Sequence, residues 1–236
     1  FFKESSDTKL NRLVQKEVKA FKFLNVPTSA LDQIHKSEER FFTVSVPLPD
    51  GSFAELNLVE SSNLIGNYAV RTSSGKPYTS IRNTITILRG EVVYNGVKGI
   101  AALTIGKTNI SGMFSLPNLG NYSIEKMENS TSHIVYREED LTAPFEFLCG
   151  TDTSAKPEDI HNKKDKNSPK ALESPCIKVY IEAGFELFTN RGSVANTEIF
   201  IINLFNQAAV LYQNENIAID ISEILVWDTD DPYAES

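Results

Sequence analysis

Cysteine is scarce in this chain, with only Cys149 and Cys176 among 236 residues. Two thiols cannot form the disulfide framework that replaces a core in small secreted domains, so the fold must rest on burial. The three histidines, His35, His133 and His161, stand on separate segments. They lack the i, i+4 spacing that sets two imidazoles on one helical face for a zinc ion. No apolar run approaches the roughly 18–20 residues that cross a bilayer, and FFKESS is too short and too polar for a signal peptide. Bases are outnumbered by acids, 23 to 31, for a net charge of -8. A groove that tracks phosphates needs the opposite balance. Neither a nucleic-acid partner nor a membrane span is expected.

The length suffices for two modest domains, each with its own core. SSDTKLNRLVQKEVKAFKFLNVP places Leu10, Leu13, Val14 and Val18 at helical spacing and predicts one amphipathic helix. PTSALDQIHKSEE predicts a shorter helix in which His35 is structural or solvated. From Phe41 the period changes to two. FFTVSV, the turn PLPDG and FAELNLV read as a hairpin. The Thr-, Ile- and Val-rich segments YAVRTSSGKPY, TSIRNTITILRGEVVYNGVKGIAALTI and TNISGMFSL continue the same logic. YSIEKMENSTSHIVYREEDL adds two strands about a polar turn, with His133 expected to be exposed. Residues 1–149 therefore predict an α+β domain, with helices on an antiparallel sheet. The sequons at Asn109, Asn121 and Asn129 are no more than chance supplies.

Residues 150–175 contain almost no large apolar side chain and are rich in Lys, Asp, Ser and Pro. Such a stretch cannot offset its ordering entropy by burial, so a linker is expected, with Lys163, Lys164 and Lys166 as processing sites. After it the pattern is strand (IKVYIEAGFELF), turn, broadly apolar helix (ANTEIFIINLFNQAAVLYQNEN) and strand (IAIDISEILVW). That is a βαβ unit with parallel strands, the start of an α/β domain over 176–236. Two strands and a helix leave a sheet edge and a sheet face uncovered, so the remainder of that domain is expected beyond Ser236.

The last segment resembles the opening strand, first helix and second strand of the reprolysin-like, or adamalysin, branch of the metzincin zinc proteases. The shared features are a strand ending ELF, a helix ending in LY and NE, and a strand ending in VW before acidic residues. The likeness is strongest to secreted metallopeptidases of the Bacteroidetes type, which carry a YxNExI…IxVWxTxDPY pattern. Residues 1–149, through VPLPDGSFAELNLVESS and HIVYREEDL, are similar to the propeptides of such proteins. The resemblance implies the N-terminal part of a secreted or cell-surface zinc metalloendopeptidase zymogen. It comprises a propeptide that maintains latency and assists folding, followed by the beginning of a metzincin-like catalytic domain.

Zinc is then a cofactor of the parent enzyme and not of this chain alone, because HExxHxxGxxH is lacking and no peptide can be hydrolysed by that mechanism. The implied partners are the missing half of the catalytic domain and, for the parent, protein or peptide substrates. The family's calcium ligand early in the first strand does not carry over, since Lys178 stands there. Cys149-Gly150 occupies the place of the thiolate that keeps adamalysin-type zymogens latent by ligating zinc, although FEFL precedes it. Alternatively, Cys149 and Cys176 form a disulfide whose loop is worth about 3.5 kcal/mol by chain entropy. The competing function is a secreted binding or adhesion module without chemistry. In that reading Trp227, Tyr233 and DTDDPY are contact residues, where Trp227 would otherwise be a strand-end core anchor.

Overall fold

A computed structural model describes residues 1–6, 8–61, 65, 67–127, 130–143 and 176–233. The first 36 residues alternate short strands and helices: β1 (Lys3–Ser5), α1 (Thr8–Glu17), β2 (Phe21–Asn25) and α2 (Thr28–Lys36). The amphipathic helix expected over SSDTKLNRLVQKEVKAFKFLNVP ends at Glu17, and the shorter one expected in PTSALDQIHKSEE is α2. The cause of the end at Glu17 lies in FKFL, where Phe23 packs with Val14 of α1 and with Val18 just past its end, while Leu24 enters the main core. Adjacent residues reach opposite sides only with strand geometry.

The strands that follow are β3 (Phe41–Pro47), β4 (Phe53–Glu60), β5 (Ala69–Thr72), β6 (Thr86–Tyr94), β7 (Val97–Ile105), β8 (Ile110–Leu116), β9 (Gly120–Lys126) and β10 (Ser132–Arg137). Their turns follow from residue type. Asn95 and Gly96 both take positive φ, 49° and 80°, the two-residue turn whose twist matches paired strands. In PLPDG the Asp50 carboxylate accepts from the Ser52 amide at 2.9 Å. Nine strands form one antiparallel sheet in the order β1-β2-β10-β9-β8-β7-β6-β4-β3. The sheet curls, so that its inner side chains, among them Leu24, Val46, Leu56, Leu88, Leu103, Phe114 and Ile124, meet in one core with Leu31 of α2. Close strand approach is needed at Gly99 and Gly112, where a Cβ would stand 1.8 Å from the Ser115 carbonyl oxygen and 2.1 Å from that of Ala102.

The second half comprises β11 (Ile177–Ala183), α3 (Phe185–Arg191), α4 (Val194–Asn214) and β12 (Ile219–Val226). Ser193 caps α4 by accepting from the Asn196 amide at 3.2 Å. Past its end Asn216 takes the left-handed conformation, as its place after the last apolar turn predicts. β11 and β12 pair in parallel. By length and composition α4 could cross a bilayer. Here Ile201, Ile202, Phe205, Ala209 and Val210 are buried, in contact with the outer face of β6, β7 and β8 on one side and with β12 on another. Each large side chain so buried contributes about 1.5–3 kcal/mol.

These observations correct the expected fold class. Strand outweighs helix, and the dominant element is a curled nine-stranded antiparallel sheet, neither helices laid on a sheet nor a metzincin α/β fold. β5, expected to continue the antiparallel pattern, leaves the large sheet. It pairs in parallel with β12, giving a second sheet of order β11-β12-β5. Helix α4 is also not apolar all round in its setting, since Leu204, Leu211 and Tyr212 remain about half exposed. His133, expected in an exposed turn, lies on β10 with 1% exposure. Its Nε2 accepts from the Ile110 amide at 3.1 Å, and burial pushes its pKa down to about 4.

Candidate functional site

Three polar residues of α4 have no exposure at all: Thr197, whose hydroxyl donates to the Ser193 carbonyl at 2.9 Å, and Glu198 and Asn206, which bond outside the helix. A carboxylate so placed needs several donors, and Glu198 has four. Its Oε1 accepts from the Tyr68 hydroxyl at 2.7 Å and from the Ser80 hydroxyl. Its Oε2 accepts from the Tyr78 hydroxyl at 2.7 Å and the Ile81 amide at 3.1 Å. Burial, then the Glu198 charge, pushes the Tyr68 phenol well above its ordinary pKa; burial and the Glu198 hydrogen bond do the same for Tyr78. Both phenols therefore stay protonated as donors through the physiological range.

Two turns further along α4, Asn206 spans to the sheet. Its amide nitrogen donates to the Leu103 carbonyl at 3.1 Å and to the Thr104 hydroxyl at 3.3 Å. Its Oδ1 accepts from Arg89 Nε at 2.7 Å. Arg89 is 6% exposed, and burial lowers its pKa to about 10, against the attraction of Asp220. Asp220 in turn pairs with Lys178. Every hydrogen-bond partner of Glu198 and Asn206 named here lies between residues 68 and 104, so these two side chains of α4 are complementary to the N-terminal half.

A second cluster lies where the parallel strands end, the end at which open α/β sheets place their ligands. Asp228 accepts from Ser73 Oγ at 3.0 Å, Ser74 N at 2.8 Å and Ser74 Oγ at 2.6 Å. Burial acts against it, but the bonds from Ser74 and Ser73 outweigh burial and hold the carboxyl below its ordinary pKa. Asp231 accepts from the Phe185 amide at 2.7 Å. Glu182 accepts from the Tyr233 hydroxyl at 2.7 Å and from the Trp227 indole. Trp227 is half-buried and meets Tyr233 edge to face at 6.3 Å, so it serves an acidic surface cluster rather than the core. Beside α4, on the outer face of the large sheet, runs a groove of about 1560 Å³ lined by Thr104, Ser111, Ser123, Tyr136, Asn196, Phe200, Asn203 and Gln207 among others.

Several sequence-derived candidates fall elsewhere. Cys149, Lys163, Lys164, Lys166 and His161 lie outside the described residues, and so does any pairing of Cys149 with Cys176. Cys176 is exposed at the start of β11. His35 Nδ1 lies 2.8 Å from the Thr86 hydroxyl, far in sequence from His133. Among the described residues no three His, Cys, Asp or Glu side chains group as metal ligands. Sequence reasoning missed Glu198 and Asn206 as contact residues, though a signal existed: both fall in register with Ile202, Phe205 and Ala209 on the stripe that must be buried.

No family model matches the chain. No curated protein matches it either. The likeness to reprolysin-type proteases therefore rests on the quoted segments themselves.

Proposed function

We propose that the chain is the N-terminal part of a secreted zinc-dependent metalloendopeptidase zymogen, in which residues 1–143 act as a folding template for 176–233. The carrying observation is the direction of the hydrogen bonds on α4. Glu198 and Asn206 are fully buried, and the partners that make their burial tolerable come from residues 68–104. A helix with a carboxylate and an amide in its buried stripe is poorly matched to an apolar core of its own. It docks well on a surface that already offers two phenols, a serine, a backbone amide and a guanidinium. The segment similarity supports the peptidase part of the reading, and latency through Cys149 belongs to the same proposal.

The test is the gene product together with whatever sequence follows Ser236, assayed for casein hydrolysis with and without a zinc chelator, before and after cleavage between residues 143 and 176. Chelator-sensitive activity that rises on cleavage, and that appears without cleavage in Cys149→Ala, is the expected result. The absence of an HExxHxxGxxH run downstream, together with no hydrolysis, would sink the proposal. The groove beside α4, lined by both polar and apolar side chains, favours the second reading, a non-catalytic binding module, which predicts no hydrolysis under any of these conditions.

A further inference from the structure

The parallel sheet is assembled from two distant parts of the chain, β11 and β12 from one and the four-residue β5 from the other. β5 lies along β12 in the register Ala69–Glu223, Val70–Ile224, Arg71–Leu225 and Thr72–Val226. The contacts beyond the ladder are specific to residue type. Arg71 Nε donates to Glu223 Oε1 at 2.8 Å. The Ser73 amide donates to the Val226 carbonyl at 3.0 Å, and the Thr229 amide donates to Ser73 Oγ at 3.2 Å. Both Ser73 and Ser74 converge on Asp228. Glu223 lies on β12 and Asp228 two residues past its end, so the edge of β12 presents a carboxylate to a basic residue and the loop that follows presents a second carboxylate to two consecutive hydroxyl residues. Strand addition to an open edge obtains its affinity from such ladder bonds and its selectivity from the side chains at alternate positions. The incumbent is four residues long: Ala69 and Arg71 are exposed, while Val70 packs on the second core and Thr72 is buried, so alternate positions of the strand face outward and inward.

We propose that the edge of β12 is a strand-receiving site for an extended peptide of the pattern Val-Arg-Thr-Ser-Ser, and that residues 70–74 are its built-in occupant, exchangeable for the same pattern on another chain. The site is defined by Glu223 and Asp228 and is independent of the peptidase reading. Because the readout below is binding, its failure and the failure of that reading are distinguishable.

The test weakens the incumbent and supplies the strand in trans. The full chain carrying Arg71→Gly, Thr72→Gly, Ser73→Gly and Ser74→Gly is titrated into a fluorescein-labelled peptide of residues 68–76, YAVRTSSGK, and anisotropy is followed. Expected is saturable binding, at least tenfold weaker to the unaltered chain, whose edge is filled, and at least tenfold weaker when Glu223→Gln and Asp228→Asn are added. Absence of binding to a glycine variant whose circular dichroism is intact overturns the proposal. So does binding that survives the two carboxylate substitutions. Should the glycine variant not fold, Ser73→Ala with Ser74→Ala takes its place, and hydrogen exchange of the β12 amides is compared with and without added peptide. Slower exchange supports the site, and unchanged exchange rejects it.

Discussion

Replacing Glu198 by alanine is the most direct probe of how the two halves are held together. Four donors converge on this carboxylate, at 2.7 Å from Tyr68 and Tyr78, at 3.1 Å from the Ile81 amide, and from Ser80. In Glu198→Ala the three hydroxyls can turn toward one another or toward water admitted to the space. The Ile81 amide has no such freedom, and one buried donor left without an acceptor costs about 1–3 kcal/mol. The lost charge-assisted bonds add to that, while relief of the buried charge subtracts. The net expectation is about 3–4 kcal/mol, or a fall in Tm of about 6–16 °C for a chain of this size. Glu198→Gln separates charge from shape. Its oxygen can serve Tyr78 and Ile81 while its nitrogen donates to Tyr68 and Ser80, whose hydroxyls can rotate to accept, so only about 1 kcal/mol should be lost. The assay is equilibrium urea unfolding followed by far-ultraviolet circular dichroism and by the fluorescence of Trp227. Tyr78→Phe combined with each substitution should give a coupling of about 1 kcal/mol with Ala and less with Gln. An alanine variant within about 0.5 kcal/mol of the parent, or no less stable than the glutamine variant, would refute the view that this carboxylate fastens α4 to the N-terminal half.

Further tests follow from other sites. His133 has its pKa lowered to about 4 from 6.5, so its contribution to stability is complete above pH 6.5 and is lost as the pH falls toward 4. Unfolding titrations at pH 7 and pH 5 should differ by about 2 kcal/mol more in the parent than in His133→Gln, and equal differences would contradict the assignment. Asn206→Leu removes the acceptor of Arg89 Nε at 2.7 Å and should cost about 2–4 kcal/mol, while Arg89→Met with Asn206→Leu should recover more than half of that loss; additive losses would argue against coupling. Gly112→Ala sets a Cβ 2.1 Å from the Ala102 carbonyl oxygen, and a Tm unchanged within 2 °C would show that the β7–β8 approach is looser than described. Limited trypsin treatment is expected to cut first at Lys163, Lys164 or Lys166. The two pieces should then co-elute in native gel filtration and separate in urea, and separation without urea would count against the α4 contacts.

Much of the secondary structure is legible in the chain because it depends on neighbours. Asn95-Gly96 specifies a tight hairpin whatever surrounds it, since both residues tolerate positive φ. Alternation from Phe41 onward determines which side chains face one core. The parallel pairing of β11 with β12 was readable from strand, long helix, strand, because parallel neighbours require a crossover. Even the closing turn at Asn216 follows from local chemistry.

What tertiary structure alone decided is where each surface goes. FKFLN reads as a helix end beside LNRLVQKEV and becomes β2 because β1 and β10 stand on either side of it, and β10 lies more than 100 positions away, a pairing that no local pattern encodes. β5 has the composition of an antiparallel strand, yet it joins a parallel sheet because Glu223 and Asp228 supply partners for Arg71, Ser73 and Ser74. Glu198 and Asn206 lie visibly on the apolar stripe of α4, but what they bind depends on Tyr68, Tyr78 and Ser80 of the β4–β6 connection and Arg89 of β6 being brought to that face by the tertiary fold. Propensity and period act over a few residues, so the sequence by itself determined the elements and their turns. Hydrogen-bond satisfaction of buried polar groups acts across the whole chain, and it is the assembled sheet that decided how the two halves are joined.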